Sequence, residues 1–588
     1  MRLTNVAHLR LPFGRLMGYD VRVSEPGHRL PVSFDQRRHV RAGERPGSWM
    51  AISFRLDEPV SRDALADAWL AVIGRHGTLR SVFVPGDDGE PRLHEVDVTA
   101  GSWTEHPIAP GQAVNDALQE QLDASCTPYA APSHRLCVLE TATGPTVVIA
   151  ADHSHVDMWS MLVIVRDLLT ALADATAGRV SSLAAVPAFA DHSAALRDRP
   201  TAPREVHHRW REILEHSGGF MPRFPLPLGE QVQHLERVEV RDVLDVDDSA
   251  AFTAQAGADG VSTLALAVSA MTGVTREMAG TSLRAVFPVH SRYENTWHDS
   301  VGWFITNSVL ESRDPAPRAC AAAVREAVQI GSWPLEEILQ PWGGMPEAPG
   351  MFAISWLDLR RLPVRVDAAG LEAQYIGASI RTDGVMLWFI LDERGLHLRC
   401  RYPDTAEART HVGTWLDRLV ARLRRIARSS AGGRLDVGGR RYRVDRATRA
   451  DVPAVAALLA DDELGHAREG AEGARYEAAF DVVARDTSQY LAVVRDESEK
   501  VVATMQLTII PGLVRAGTTR LQIEGLRVAR EDRSQGLGAA MLAWAHEHGR
   551  ARGASLAQVT TDEARERARS FYERLGYETS HVGLKRGL

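Results

Sequence analysis

Cysteine is scarce in this chain of 588 residues: Cys126, Cys137, Cys320 and Cys400 lie far apart, with no CxxC pair. That excludes thiolate–zinc spacing and leaves too few thiols for a disulfide framework, so four reduced, mostly buried thiols and no metal site are expected. Lysine is scarcer still. Only Lys500 and Lys585 occur, and the other 66 of the 68 basic residues are arginine, a bias that reflects GC-rich codon usage rather than chemistry. An excess of positive charge is missing too: with 76 acidic residues the formal charge is −8, and no nucleic-acid partner is expected. Long apolar runs are absent. Ser262–Met271 is among the longest and reaches ten residues, against the ~18–20 that cross a bilayer. The opening Met1-Arg-Leu-Thr-Asn-Val lacks a secretory stretch. A cytoplasmic enzyme or binding protein, with no membrane partner, is the expectation.

What is present is an ordinary globular composition, 45% apolar and 24% charged. Single cores stop growing near ~250–300 residues, so several packing units are expected. The clearest seam is Ser429-Ser-Ala-Gly-Gly-Arg-Leu-Asp-Val-Gly-Gly-Arg441, rich in small residues. It follows a helical pattern from Trp415 to Ile426, with Leu416, Leu419, Val420 and Leu423 on one face. After it, Tyr442 opens a strand and then a helix start, with Thr448 or Asp451 placed to cap. The expected map is a front domain over 1–430, in two lobes at about 1–185 and 186–430, a linker at 431–441, and a rear domain over 442–588. Pro200 to Pro227 is proline-rich without a clear period and is expected to connect the lobes.

Thr146-Val-Val-Ile-Ala-Ala151 reads as a strand buried on both faces. It runs into Asp152-His-Ser-His-Val-Asp-Met-Trp-Ser160, and a helical pattern through Met161, Ile164, Val165, Leu168 and Leu172 follows. A histidine just past a buried strand sits where irregular backbone presents it to a ligand. His153 and Asp157 by themselves form a weak signal, because His-x-x-x-Asp arises by chance.

The flanks strengthen it. The segment resembles the His-His-x-x-x-Asp-Gly motif of the condensation-domain superfamily of nonribosomal peptide synthetases, which shares its fold with chloramphenicol acetyltransferase. Pro31-Val-Ser-Phe-Asp-Gln36, Arg75-His-Gly-Thr-Leu-Arg80-Ser-Val-Phe83, Pro288-Val-His-Ser-Arg292, Val301-Gly-Trp-Phe-Ile-Thr-Asn307 and Ser355-Trp-Leu-Asp358 resemble further family segments in order. The resemblance implies two lobes with His153 in a tunnel between them, as general base or as support for the tetrahedral intermediate. It implies that Asp157 pairs with Arg292. His155 reads as a satisfied structural histidine. Two positions depart: Asp152 stands for the first family histidine, and Met158 for the glycine, where its bulk narrows the tunnel or shifts the donor.

Near the C-terminus, Leu521–Ala529 reads as a strand, Arg533-Ser534-Gln535-Gly536-Leu537-Gly538-Ala539 as a glycine loop, and Met541, Leu542 and Ala545 as a helix face. Strand, glycine loop and helix N-terminus together favour an anion. The loop is neither a Walker loop nor a full Rossmann fingerprint. Its Arg-x-x-Gly-x-Gly spacing resembles the cofactor motif of GNAT N-acetyltransferases, and Ala568–Tyr577 resembles their terminal helix and strand. The resemblance implies acetyl-CoA or another acyl-CoA, its pyrophosphate on Arg533–Ala539 and its pantetheine beside Leu526, Arg527 and Val528. It implies Tyr572 as proton donor to the departing thiolate. Glu524 serves as base, directly or through water, or is an ordinary strand carboxylate.

The expected fold class is therefore α/β: two chloramphenicol-acetyltransferase-like lobes followed by a GNAT mixed α/β domain. The expected function is a bifunctional acyltransferase of specialised metabolism. Its front domain joins a thioester-bound acyl group, including a phosphopantetheine-bound one on a carrier protein in trans, to a small-molecule amine. Its rear domain N-acylates an amine. The alternatives are an ester-forming front domain, or a binding platform beside an active GNAT domain.

Overall fold

The run Thr146–Asp152 is buried from Val147 onward because it lies mid-sheet, with Trp49–Arg55 antiparallel on one side and His134–Glu140 on the other. The computed structural model describes residues 1–141, 144–431, 433–461, 473–486, 488–562, 565–580 and 586. In it that sheet has seven strands, in the order Arg2–Asn5, Gln374–Gly377, Trp49–Arg55, Thr146–Asp152, His134–Glu140, Arg15–Val23 and Val98–His106. Helices Arg62–Arg75 and Met158–Thr176 pack together over it through Trp69, Val72, Met161 and Leu168. A second seven-stranded sheet runs Ile305–Ser312, Leu283–His290, Phe352–Asp358, Val385–Asp392, Gly395–Pro403, His234–Leu244 and Arg381–Thr382. Helix Thr263–Ala279, capped by Ser262 and stopped by Gly280 at φ 68°, carries the apolar run noted above into the core.

These elements form one unit, residues 1–245 with 259–422. The expected lobe boundary at 185/186 needs correction: Gln374–Gly377 comes late in the chain yet fills the first sheet, parallel to Arg2–Asn5 and antiparallel to Trp49–Arg55. Tyr375 and Ile376 are each 1% exposed there, so the strand completes a core that the first 185 residues leave open.

The second unit takes residues 423–588 together with 246–258. Helix Val246–Ala258 therefore does not belong with the second lobe, where the sequence had placed it. Asp247 accounts for this: its carboxylate receives Arg446 Nη1 at 3.5 Å and also Arg552 Nη2. The sheet of this unit has six strands, Arg434–Val437, Arg440–Arg446, Gln489–Arg495, Val501–Ile510, Arg520–Val528 and Leu556–Val559. The expected linker at 431–441 is also corrected. Residue 432 lies outside the described residues, but Arg434–Val437 is a strand paired with Arg440–Arg446. Gly438 and Gly439, at φ 59° and 82°, make the two-residue turn, a geometry that demands positive φ at both positions. Asp451 then accepts the Thr448 amide and hydroxyl, both at 2.8 Å, as a capping box. All four cysteines are free and buried. Among the described residues no single helix is long and apolar enough to cross a membrane.

Candidate functional site

The chain leaves the buried strand at Asp152 and turns through His153 and Ser154 before Asp157 caps helix Met158–Thr176. The His153 amide donates to Ser48 O at 3.0 Å, fixing the backbone. Its half-buried ring stacks on Trp303, with centroids 4.2 Å apart and planes at 25°. Its Nδ1 is sealed without a hydrogen-bond partner. Burial, and then the nearby His39, hold the imidazole below its ordinary value of 6.5.

Asp152, standing where the motif has a histidine, is fully satisfied. Its carboxylate accepts Ser48 Oγ (2.5 Å), Ser154 Oγ (2.5 Å), the Ser154 amide (2.9 Å) and His39 Nε2 (3.2 Å). Burial raises its pKa, but the hydrogen bonds and the His39 ring outweigh it and keep the group well below the usual carboxylate range. Arg45 Nη2 donates to His39 Nδ1 at 2.8 Å; a guanidinium cannot accept, so His39 Nε2 carries the proton toward Asp152. Gln36, one turn earlier on helix Phe34–Arg41, donates to Ser154 O at 2.8 Å. The opening segment thus grips the histidine turn from one helix face.

Asp157 and Arg292 meet, both almost wholly buried, with Arg292 Nη2 at 3.3 and 3.5 Å from the two carboxylate oxygens. Asp157 also accepts the Ser160 amide (2.7 Å) and the Phe304 amide (3.1 Å). Arg292 Nη2 also donates to Ser160 Oγ (2.7 Å) and its Nη1 to Trp297 O (2.5 Å) and Ser300 O (2.7 Å), while its buried Nε has no hydrogen-bond partner. Its Cζ lies 3.8 Å from the Phe304 ring centre. The pair ties the histidine turn to the segment 292–304 and so places Trp303 against His153. His155 is buried and satisfied by Ser154 Oγ (2.9 Å) and Ser81 O (3.2 Å). Met158 is half-buried against the first core, and its carbonyl accepts the Tyr375 hydroxyl at 2.8 Å.

Sequence reasoning missed His39, Trp303, Ser160 and Tyr375. Trp303 lay inside a recognised segment, but nothing in its spacing announces a partner 150 residues earlier. The lowered His153 value has a kinetic consequence. A base must be neutral, so the single-turnover rate at this histidine is expected to stay level as pH falls through 6.5 and to decline only below it. An acid limb centred at or above 6.5 would contradict a buried, neutral imidazole.

In the second unit, Glu524 is exposed and lies opposite Gln506. A bulge follows: between the pairs Gln506–Glu524 and Thr504–Arg527, Met505 faces two residues, Gly525 and Leu526, with Gly525 at φ 59°. The parallel partner Leu556–Val559 pairs only as far as Ile523. From Glu524 to Val528, the stretch that includes Leu526, Arg527 and Val528, no strand among the described residues pairs with that edge. The loop Arg533-Ser534-Gln535-Gly536 is exposed, with Ser534 at φ 61° and Gly536 at φ 93°, and Leu537 opens helix Leu537–Ala551. Gly538 faces Phe571, where a Cβ would come within 3.3 Å, and Ala539 is half-buried. Arg533 turns its side chain to Val528 O (2.8 Å) and to Asp461 Oδ2 (2.8 Å), so the loop's open donors are backbone N–H groups. These residues fit a CoA-type anion. Tyr572 is half-buried on helix Glu566–Arg574; burial lifts its phenol above 10.0, and Arg527 and Arg565 partly offset that. Among the described residues no three His, Cys, Asp or Glu side chains converge to hold a metal ion.

Comparison with known proteins gives two family matches: a condensation domain over 31–328 and the acetyltransferase (GNAT) family over 454–577. The chain is similar to the isonitrile lipopeptide synthase of Mycobacterium tuberculosis, 25% identical over 449 residues, covering 68% of the chain and 17% of that protein. It is similar to acyltransferase PapA3 of the same species, 23% identical over 431 residues, covering 68% of the chain and 90% of that protein. A nonribosomal peptide synthetase of Salinispora arenicola is 29% identical over 304 residues, and the match spans only 4% of that much longer protein. Among solved structures, PapA2 acyl transferase superposes with a TM-score of 0.64 at 18% identity over 73% of the chain and all of that protein. The first condensation domain of the calcium-dependent antibiotic synthetase superposes at 0.55 and 15% identity, over 69% and 98%. Those two likenesses establish the fold.

Proposed function

The chain belongs to the condensation-domain family over residues 31–328, and on that premise we propose that its front unit transfers an acyl group from a thioester to a small-molecule amine, forming an amide. The GNAT-type domain that follows acylates an amine from acetyl-CoA or another acyl-CoA. A carrier protein in trans supplies a phosphopantetheine-bound donor to the front unit, and the chain works in the cytoplasm on specialised metabolites. The observation that carries this reading is His153, half-open on Trp303 and held below its ordinary pKa.

An amine attacking a thioester carbonyl must shed a proton. The neutral His153 imidazole has one ring lone pair to receive it, and the imidazolium then returns the proton to the departing sulfur. Asp157 and Arg292 touch no substrate in this scheme; they position the turn. The supporting likeness is PapA3, named an acyltransferase, of which 90% is covered. In the rear domain an acyl-CoA supplies an activated acyl thioester. The backbone of Arg533–Ala539 holds its pyrophosphate, and the open edge at Leu526–Val528 receives the pantetheine. Tyr572, kept protonated by burial, donates to the thiolate, while exposed Glu524 takes the amine proton directly or through water.

The test is mass spectrometry of the full chain with acyl-pantetheine, acyl-CoA and candidate amines. His153→Ala should remove one product and Tyr572→Phe should slow a different one. Loss of the same product in both variants would contradict two independent sites. Binding gives a further expectation. Acetyl-CoA at 100 times its dissociation constant should stabilise the rear unit within the full chain by about 2.7 kcal/mol. Gly536→Glu should erase the shift, since it brings a carboxylate to the loop and a side chain to φ 93°; Gly536→Ala separates strain from charge. Tyr572→Phe should keep the shift. No stabilisation by acetyl-CoA or longer acyl-CoAs would remove the rear domain from the scheme.

A further inference from the structure

Two arginines stand side by side on one face of the second sheet. Arg399 and Arg401 alternate along Gly395–Pro403, and Trp388, paired in register with Arg399, lies 4.7 and 5.4 Å from their Cζ atoms. Arg401 is partly answered: its Nη2 donates to Met386 Sδ at 2.8 Å, while its Nε lies 3.9 Å from Glu236 Oε2, too far for a hydrogen bond. Glu236 Oε1 accepts Asn5 Nδ2 at 2.9 Å, while its buried Oε2 has no hydrogen-bond partner. Arg399 is not answered. It is 4% exposed, its Nε and Nη2 are sealed without an acceptor, and among the described residues it has no ion pair. Two buried guanidinium groups thus share one buried carboxylate. Burial, then Arg401, lowers Arg399 only to about 10, so it stays charged at neutral pH. A buried cation left unpaired is costly, and a packed apolar side chain would be the cheaper occupant.

Gly377 faces this cation. A Cβ there would stand in ordinary contact, 3.5 Å from both Nη1 and Nη2, so at Gly377 no side chain lies over the guanidinium fork. Gly377 lies two residues beyond Tyr375, whose hydroxyl donates to Met158 O at the start of the helix that follows the His153 turn. Two residues of strand span about 7 Å. In the sheet, Gly377 pairs with Met50 and Met50 with Ala151, two residues before His153.

We propose that Arg399, with Arg401 beside it, Trp388 as floor and Gly377 facing it, is an anion subsite that takes a carboxylate or phosphate carried by the molecule handled at His153. A carboxylate matches the two parallel N–H bonds of a guanidinium fork, and a phosphate presents the same paired oxygens. The identity of the molecule bearing the anion rests on the proposed acyl transfer; the anion site itself does not.

The experiment separates the two. Full-length His153→Ala protein is melted in sodium acetate or sodium phosphate against sodium chloride at equal ionic strength. A saturable rise of about 2 °C is expected, lost in an Arg399→Met background and in a Gly377→Ala background. Arg399→Met should itself melt no lower, since it removes an unpaired charge. No rise, or a rise that survives both variants, overturns the subsite. Kinetics then assign the anion. If the acceptor carries it, Arg399→Met raises the KM of an amino acid about tenfold and leaves that of an uncharged amine unchanged. If the donor carries it, the same loss appears with acyl-phosphopantetheine and not with acyl-pantetheine. An equal change for charged and uncharged substrates overturns the proposal, because a distorted sheet would act that way. Anion binding without acylation by any variant would sink the proposed front activity and leave the subsite standing.

Discussion

His153→Ala is expected to lower the single-turnover rate of acyl transfer at the front unit by about 10²-fold or more, the usual scale for a positioned proton-transfer group. Its melting temperature should hardly change. The side chain makes no hydrogen bond to another residue and contributes mainly a stacked face on Trp303, so truncation strands no buried partner. The comparison variant is His155→Ala, which should do the reverse. That ring satisfies Ser81 O and Ser154 Oγ inside the core, and its loss should cost stability before chemistry. A wild-type rate in His153→Ala would take this histidine out of the mechanism.

The second large effect is on folding. Asp157→Ala strands Arg292, which is 2% exposed, and leaves the Phe304 and Ser160 amides without their acceptor. Removing one partner of a buried pair costs about 3–5 kcal/mol, so chemical denaturation should show a loss of that size. Asp157→Asn should recover part of it, because an amide oxygen still accepts from the backbone. A melting curve for Asp157→Ala that overlays that of His153→Ala would show that the pair contributes little to stability. The two variants therefore distinguish a reacting side chain from the brace that positions it.

The histidine turn was legible because its signal is local. An apolar run, a break and a 3.6-residue pattern follow one another, and the structure places strand, turn and helix there. The Asp157–Arg292 pair was legible only through family resemblance, since the residues lie 135 positions apart and no spacing rule connects them. The glycine loop at 533–539 was legible for the same local reason as the histidine turn. What escaped was non-local or short. Gln374–Gly377 has four residues, and its assignment depends on a gap in a sheet formed by the other end of the chain. Arg434–Val437 read as a spacer because two glycines follow it, yet those glycines form the turn that makes it a strand. Helix Val246–Ala258 carries no mark of its allegiance except Asp247, whose arginine partners come about 200 and 305 residues later. His39 is one histidine among 22, and no spacing sets it apart. Only the substitution of Asp152 at the motif's first position hinted that a donor had to come from elsewhere.

The grouping of residues 246–258 with 423–588 has a consequence for inheritance and engineering. The polypeptide passes between the units at 245/246, at 258/259 and again at 422/423. An end-to-end gene fusion would need one such passage. A recombination event, or a designer, that swaps only the segment after the long helix Ala406–Ala431 leaves the thirteen-residue insert behind, with Asp247 parted from both its arginines. A new rear domain must accept that helix, or arrive with a replacement for it. This three-passage stitch makes the pair heritable as one module rather than as two interchangeable parts.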